Sequence, residues 1–281
     1  MARALPALAL FVTLLAAGGC NKAQSRALMK EGNALYKAGK LGAARAKLEE
    51  AAKLEPRFAL AHLHIGYACI GLAAGRAKAE KQTLLLRGAK AFRRYMVLSP
   101  SDGRGARFYL KTLLDAGRTK EATTFLEAEH KKRPRDVSVV QSLGMVASKA
   151  GRFEDALRWY EKRAALEPRD PKARYLVGTL VWEHLYHKRG KVIGKTRVDI
   201  ANRGIVALKK AIALQPSYVE AVTYVNLLLR ERALGHDDEA AKKADVAEAD
   251  KWHKRAQQML AAQSSASARA ADDDKKKKVG H

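Results

Sequence analysis

Residues 39–56 read GKLGAARAKLEEAAKLEP, in which Gly39, Ala44 and Pro56 are separated by 5 and then 12 positions. The same triplet recurs twice with the same spacing, as Gly117, Ala122, Pro134 and as Gly151, Ala156, Pro168. The prolines at 56, 100, 134, 168 and 216 are 44, 34, 34 and 48 residues apart. The underlying period is therefore 34 residues, with two insertions.

Each residue type in this pattern has a structural role. Glycine after a first helix favours the left-handed C-cap conformation, and proline ends a second helix because it lacks the N–H donor. Small residues in the first helix allow the second helix to approach closely, and we expect this at Gly32, Gly66, Gly144 and Gly178. We expect larger residues to pack after the alanines, at Leu48, Leu126 and Tyr160.

A 34-residue helix–turn–helix period resembles the tetratricopeptide (TPR) repeat. The resemblance implies an all-α, right-handed superhelical solenoid of about six units, in which neighbouring helix pairs share one core. We place the array at residues 25–263, with units that start near 25, 59, 103, 137, 171 and 219. The insertions fall near residues 73–82 and 188–202, as helix extensions or as protruding loops.

The first twenty residues are typical of an export signal. Arg3 precedes an uncharged apolar stretch that ends in Ala17-Gly18-Gly19-Cys20, which predicts a signal peptide over residues 1–19. Small residues before a cysteine resemble a lipobox, which implies cleavage before Cys20, acylation of Cys20 (for example with palmitate) and a lipidated anchor over residues 20–24. An ordinary signal cleaved elsewhere and an uncleaved signal anchor remain alternatives.

The residue after Cys20 bears on localisation. By the sorting rules of bacterial lipoproteins, Asn21 in place of aspartate favours the outer membrane, with the protein facing the periplasm. The inner membrane and the soluble periplasm remain alternatives. Three acyl chains would anchor the protein far more firmly than a single one.

The chain is strongly basic, with 54 Lys and Arg against 29 Asp and Glu and a net charge of +25. Arg3 contributes +1 before Cys20, and the tail after Gln263 contributes a net +2. Residues 20–263 therefore carry the remaining +22. Such a field favours anionic partners without choosing among them. The sequence contains no nucleic-acid recognition motif, and its predicted export signal would carry the protein away from nucleic acid. Both observations argue against nucleic acid as a partner.

In TPR arrays, positions 2, 5, 9 and 12 of each unit line a groove. The resemblance therefore implies an aromatic and apolar floor with a basic cluster, suited to an acidic, extended partner segment. The predicted groove residues are Asn33, Tyr36, Tyr67, Arg104, Arg107, Lys111, Gln141, Met145, Tyr175 and Trp182.

Signals for catalysis are missing from the sequence. It contains no nucleophile elbow, phosphate loop or dinucleotide fingerprint, so we predict no catalytic residue, no cofactor and no enzymatic activity. His184 and His187 could share a helix face, but no third metal ligand is indicated nearby. Cys69, among apolar neighbours, is predicted to be a buried structural thiol. Residues 264–281 end in blocks of like charge and are predicted to be a disordered tail.

The mature chain resembles bacterial TPR lipoproteins of the envelope, and its architecture is similar to that of pilotins. This resemblance implies a non-enzymatic, lipid-anchored scaffold that holds envelope proteins together, for example during complex assembly. One alternative is a basic binder of anionic envelope lipid or polymer, through Arg104, Arg107 and Lys111. Another is an accessory subunit that regulates an envelope enzyme.

Overall fold

The computed structural model describes the backbone of residues 7–279 and the side chains of residues 20–265. Within this part of the chain all regular structure is helical, with twelve α-helices and no strand. The helices are α1 (Ala7–Lys37), α2 (Leu41–Leu54), α3 (Ala59–Ala73), α4 (Lys78–Leu98), α5 (Arg104–Asp115), α6 (Thr119–Lys132), α7 (Val137–Lys149), α8 (Phe153–Leu166), α9 (Pro171–His187), α10 (Gly194–Leu214), α11 (Val219–Ala233) and α12 (Glu239–Val279). The all-α, TPR-type fold predicted from the sequence is confirmed.

The chain divides into two compact units, residues 1–125 and 126–281. In the first unit α1 to α5 pack against one another in chain order, and in the second unit α7 to α12 do the same. The core of the first unit includes Leu48, Ile65 and Cys69, and that of the second includes Leu185 and Leu229.

The glycine and proline positions explain where the helices end. Gly39, Gly117 and Gly151 follow α1, α5 and α7 at φ values of 74°, 74° and 70°. The amide of Gly39 donates to the carbonyl oxygen of Tyr36 at 3.0 Å, so the glycine closes the helix. The helices α2, α4, α6, α8 and α10 each end two residues before a proline.

The predicted close approaches occur within the helix pairs. Phe92 of α4 lies directly over Gly66 of α3, so that a Cβ at Gly66 would overlap the ring. Gly144 is covered in the same way by Tyr160. Glycine is therefore needed at both positions for space.

The two insertions lengthen second helices. α4 and α10 each have 21 residues, against 14 in α2 and α8. Residues 74–77 and 188–193 remain as short connections. Of the two arrangements that the sequence allowed, helix extension accounts for most of the inserted residues.

The two ends of the chain are helical wherever the backbone is described. α1 continues through Cys20 without a break, while residues 1–6 of the predicted signal peptide lie outside the described residues. No helix in the described part of the chain is both long and apolar enough to cross a membrane. α12 extends to Val279, so the structure gives helical backbone to residues 264–279, for which the sequence predicted disorder. The alanines of this segment favour helix despite the charge blocks that follow them.

Candidate partner-binding surfaces

An aromatic cluster lies at the meeting point of α3, α4 and α5 in the first unit. Phe108 stacks on Phe92 at 5.3 Å between ring centroids, and Tyr67 and Phe108 form a T-shaped pair at 5.0 Å. Phe92 is fully buried, whereas Tyr67 and Phe108 are each partly exposed. The cluster thus presents two partly exposed rings on a buried base.

Beside this cluster, Asn33 of α1 is held by His64 of α3. The Nδ1 atom of His64 lies 2.5 Å from Oδ1 of Asn33. Burial and the charge of Arg104 lower the pKa of His64, so its ring is neutral at pH 7. Because Oδ1 of Asn33 can only accept, Nδ1 carries the proton, and the amide N–H groups of Asn33 remain as donors.

Two of the three cations predicted for the basic cluster are ion-paired. The guanidinium of Arg104 donates to Asp102 at 2.6 and 2.9 Å and to the Tyr95 hydroxyl at 3.1 Å. Lys111 pairs with Asp115 at 2.5 Å. These carboxylates reduce the positive charge that the sequence assigned to this surface.

Arg107 is the cation of this set that remains available. It is exposed, its guanidinium carbon lies 5.5 Å from the centroid of the Phe108 ring, and among the described side chains it has no carboxylate partner. Burial raises the pKa of Tyr67, while the neighbouring Arg104 and Arg107 oppose that rise. Arg107 therefore lies close to both partly exposed rings, Tyr67 and Phe108.

The first unit thus brings together five of its six predicted groove residues. Tyr36, with 39% of its surface exposed, is close enough to Tyr67 to influence its pKa. We call the set the Tyr67 surface; its members are Asn33, Tyr36, Tyr67, Arg104, Arg107 and Phe108. Phe108 was not among the predicted groove residues, although its position on the helix of Arg104 and Arg107 could have indicated it.

The second unit carries a row of aromatic rings on α9 and α11. Tyr224 lies 5.6 Å from Tyr175 and 5.3 Å from Trp182, and Trp182 stacks on Tyr186 at 5.0 Å. Burial and the neighbouring tyrosines raise the pKa of Tyr175 to about 12. These four rings, which we call the Trp182 row, include Tyr186 with 44% exposure.

Two members of the Trp182 row, Tyr175 and Trp182, were predicted from the sequence. Tyr186 and Tyr224 were not. Tyr224 lies on a different helix from its partners, whereas the four-residue spacing between Trp182 and Tyr186 could have served as a signal. The remaining predicted residues of this unit, Gln141 and Met145, are exposed on α7.

The described residues contain no cluster of three or more potential metal ligands. His184 stacks on Phe153 at 3.7 Å between centroids. Cys69 is buried, and this burial raises the pKa of its thiol to about 11. It is therefore a protonated thiol at neutral pH.

Comparison with known proteins identifies the repeat directly. Residues 32–69 match the family model of the TPR repeat. No curated protein matches the chain.

Solved structures similar to the chain include YrrB, described as a TPR protein with an unusual peptide-binding site, at 17% identity over 69% of this chain and 88% of that one, with a TM-score of 0.42. MamA from Desulfovibrio magneticus RS-1 is similar at 16% identity over 85% of this chain and 97% of that one, with a TM-score of 0.33. MamA AMB-1 is similar at 19% identity over 69% of this chain and 93% of that one, with a TM-score of 0.43. Residues 32–69 thus form a TPR repeat, and the helix pairs after it share its helix–turn–helix fold.

Proposed function

We infer that this protein is a non-enzymatic scaffold that binds segments of partner proteins in the bacterial cell envelope. The observation that carries this proposal is the Tyr67 surface, where two partly exposed aromatic rings lie beside a cation without a carboxylate partner. Stacked helix pairs present extended surfaces of this kind to other proteins. Aromatic and arginine side chains are also the residue types most enriched at binding hot spots.

The chemistry of the Tyr67 surface selects an acidic segment in extended conformation. The guanidinium of Arg107 offers a charge-assisted hydrogen bond to a carboxylate. The free amide N–H groups of Asn33 can donate to a partner's backbone carbonyl. The partly exposed rings of Tyr67 and Phe108 provide apolar contact for a side chain between these two points.

The Trp182 row supports the same function in the second unit. Its rings hold one another in fixed orientations, so little side-chain entropy is lost when a partner packs against them. It has one cation at its end, since Arg189 lies 4.6 Å over the Tyr186 ring. That guanidinium already donates to Glu231, so the row offers mainly aromatic contact.

Cys20 would fix the scaffold to a membrane. Its position after small residues supports lipidation, and its exposure at the start of the described side chains is compatible with an attached lipid. By the lipoprotein sorting rules, Asn21 then places the scaffold on the outer membrane, facing the periplasm. Partner proteins would thereby be collected at the membrane surface.

The test is in-cell cross-linking of the full chain, followed by affinity capture and mass spectrometry. We compare the native protein with Arg107→Glu, and with Lys90→Glu as a control. Lys90 is exposed on α4 of the same unit, so the control makes the same change in charge outside the Tyr67 surface. A protein partner lost from Arg107→Glu but retained by Lys90→Glu supports the proposal.

A partner captured equally by both variants contradicts the role of the Tyr67 surface. If anionic lipid or polysaccharide is enriched in place of a protein, the second candidate function holds, that of a basic binder of envelope polymer. The net charge of +25 favours that candidate. It predicts affinity that falls steeply with salt and depends little on partner sequence.

A further inference from the structure

A cavity of about 490 Å³ lies among α8, α9 and α10 in the second unit, and none of the predicted groove residues lines it. This volume falls within the range of roughly 300–1,000 Å³ that is typical of small-molecule sites. It is therefore large enough to hold more than a few ordered waters.

The floor of the cavity is aliphatic. Ala164 of α8 and Val177 of α9 are buried at its base, and Val206 of α10 faces it with 52% of its surface exposed. No aromatic ring is among the described residues that line it. Such a floor suits an alkyl chain, which gains from burial without needing oriented polar partners.

The rim of the cavity is cationic. Arg174, Arg203 and Lys210 line it together with a single carboxylate, Glu161. That carboxylate is already occupied, since Arg203 donates to it through two nitrogens at 3.1 and 2.9 Å. Neither Arg174 nor Lys210 has a carboxylate partner among the side chains that the structure describes.

Arg174 differs in this respect from other partly or fully buried arginines of the same unit. Arg163 pairs with Asp170 at 2.9 Å, and Arg232 pairs with Asp245 at 2.8 Å. Arg174 is partly buried next to an apolar floor without such a partner. A guanidinium in that position is stabilised by any anion that reaches it.

We propose that this cavity binds the carboxylate and alkyl chain of a single fatty acid. The carboxylate would accept hydrogen bonds from Arg174 and Lys210, and the chain would lie along Ala164, Val177 and Val206. The proposal does not depend on the scaffold function, because the cavity lies outside both the Tyr67 surface and the Trp182 row.

A peptide fits the cavity less well than a fatty acid. Backbone N–H groups need acceptors, and the side chains of the lining offer few: Glu161, which already accepts from Arg203, and Oδ1 of Asn202, which already accepts from Arg232 at 2.7 Å. What remains is a set of donors around an aliphatic floor. An amphiphilic anion brings acceptors for these donors, whereas a peptide also brings N–H donors, for which the lining has few acceptors.

The test is isothermal titration of the purified full chain with dodecanoate below its micelle concentration. Two further probes separate the head group from the chain. Dodecyltrimethylammonium has a similar long alkyl chain with a cationic head group, and butyrate has the carboxylate with only a short alkyl chain. The test variant is Arg174→Gln with Lys210→Gln. Its control is Lys149→Gln with Lys191→Gln, which removes the same charge from exposed positions in the same unit.

We expect saturable 1:1 binding of dodecanoate that weakens about tenfold or more in the test variant and is unchanged in the control. Both other probes should bind far more weakly. Equal binding by test variant and control overturns the proposal, as does equal binding of the cationic amphiphile. Val206→Glu, at an exposed position, should also abolish binding, and matching thermal midpoints show that each variant is folded.

Discussion

The Nε atom of Arg197 donates to the backbone carbonyl oxygen of Glu231 at 2.8 Å, and the carboxylate of the same glutamate accepts from Nη2 of Arg197. Both side chains are buried, with 2% and 1% of their surface exposed. Arg197 also donates to the carbonyl oxygens of Leu185 and Val192 at 3.2 and 2.8 Å. One guanidinium therefore joins α9, the 188–193 connection, α10 and α11.

Glu231→Ala should destabilise the fold by about 3–5 kcal/mol, because Arg197 would be left buried without a counter-charge. The double variant Arg197→Met with Glu231→Leu should lose considerably less, since no uncompensated buried charge remains; Arg189, the other partner of Glu231, is 52% exposed. Urea unfolding of the full chain measures both. As a control, Glu154→Gln removes an exposed partner of Arg203 and should cost less than about 1 kcal/mol. Equal losses for the single and the double variants would contradict this account.

Gly66→Ala should destabilise the first unit by about 1–3 kcal/mol, because the added methyl group overlaps the buried Phe92 ring. Gly42→Ala is the matched change. Gly42 lies in α2 with nothing within 4 Å of the place that a methyl group would take, so alanine should stabilise by about 0.4–1 kcal/mol. Thermal unfolding followed by circular dichroism should move the midpoint in opposite directions. A shift of the thermal midpoint in the same direction in both variants would contradict this explanation.

Cys20→Ala should abolish incorporation of an alkynyl palmitate analogue when the full chain is expressed in a bacterial host. The reason is that the proposed lipid is attached through the sulfur of Cys20, which alanine lacks. Cys69→Ala serves as the control and should retain the label, because Cys69 is buried. Label in neither the native chain nor the control, or label in Cys20→Ala, would contradict lipidation at Cys20.

In the Cys20→Ala variant, Cys69 is the single remaining thiol, and it should resist iodoacetamide at pH 8 until the chain is unfolded. With a pKa of about 11, only about one thiol in a thousand is ionised at that pH, and burial restricts access further. Mass spectrometry before and after urea treatment measures the alkylation. Complete reaction of the folded protein would show that Cys69 is accessible.

The raised pKa of Cys69 also predicts a pH dependence of stability. Its folded value of about 11 exceeds the unfolded value of 9.0, so the stability it contributes is present below pH 9 and is lost as the pH rises toward 11. The urea midpoint should therefore fall more between pH 8 and pH 10.5 in the Cys20→Ala variant than in a variant that also carries Cys69→Ala. An equal fall would show that the thiol does not contribute.

The fold could be predicted from the sequence because its signals are local. Helices begin at Ala59, Val137, Pro171 and Val219, at the positions where the repeat period places unit starts. Glycine conformation and the missing proline donor act within one turn, so their spacing is enough to place the helices. The helical backbone after residue 263 was not predicted, because the charge blocks there indicate disorder while the alanines beside them favour helix.

The binding surfaces were less predictable, since they depend on side chains from several helices. The repeat pattern indicated Arg104 and Lys111, but it did not reveal that Asp102 and Asp115 pair with them. Asp115 is only four residues from Lys111, and that spacing could have served as a signal. The contact of Tyr224 with Trp182 joins α11 to α9, and no sequence period specifies it.

The two connections created by the insertions differ in how firmly they are held, and this determines where the chain can be tagged. Residues 188–193 are fixed through Val192 to the buried Arg197, so an epitope inserted there would disturb the core of the second unit. Residues 74–77 are exposed, and Gly75 has a φ of 71°. An affinity tag or a fluorophore placed beside Gly75 would leave both helices of that pair intact. The protein therefore offers an internal attachment point for following it inside cells, distant in sequence from both Cys20 and the C-terminus.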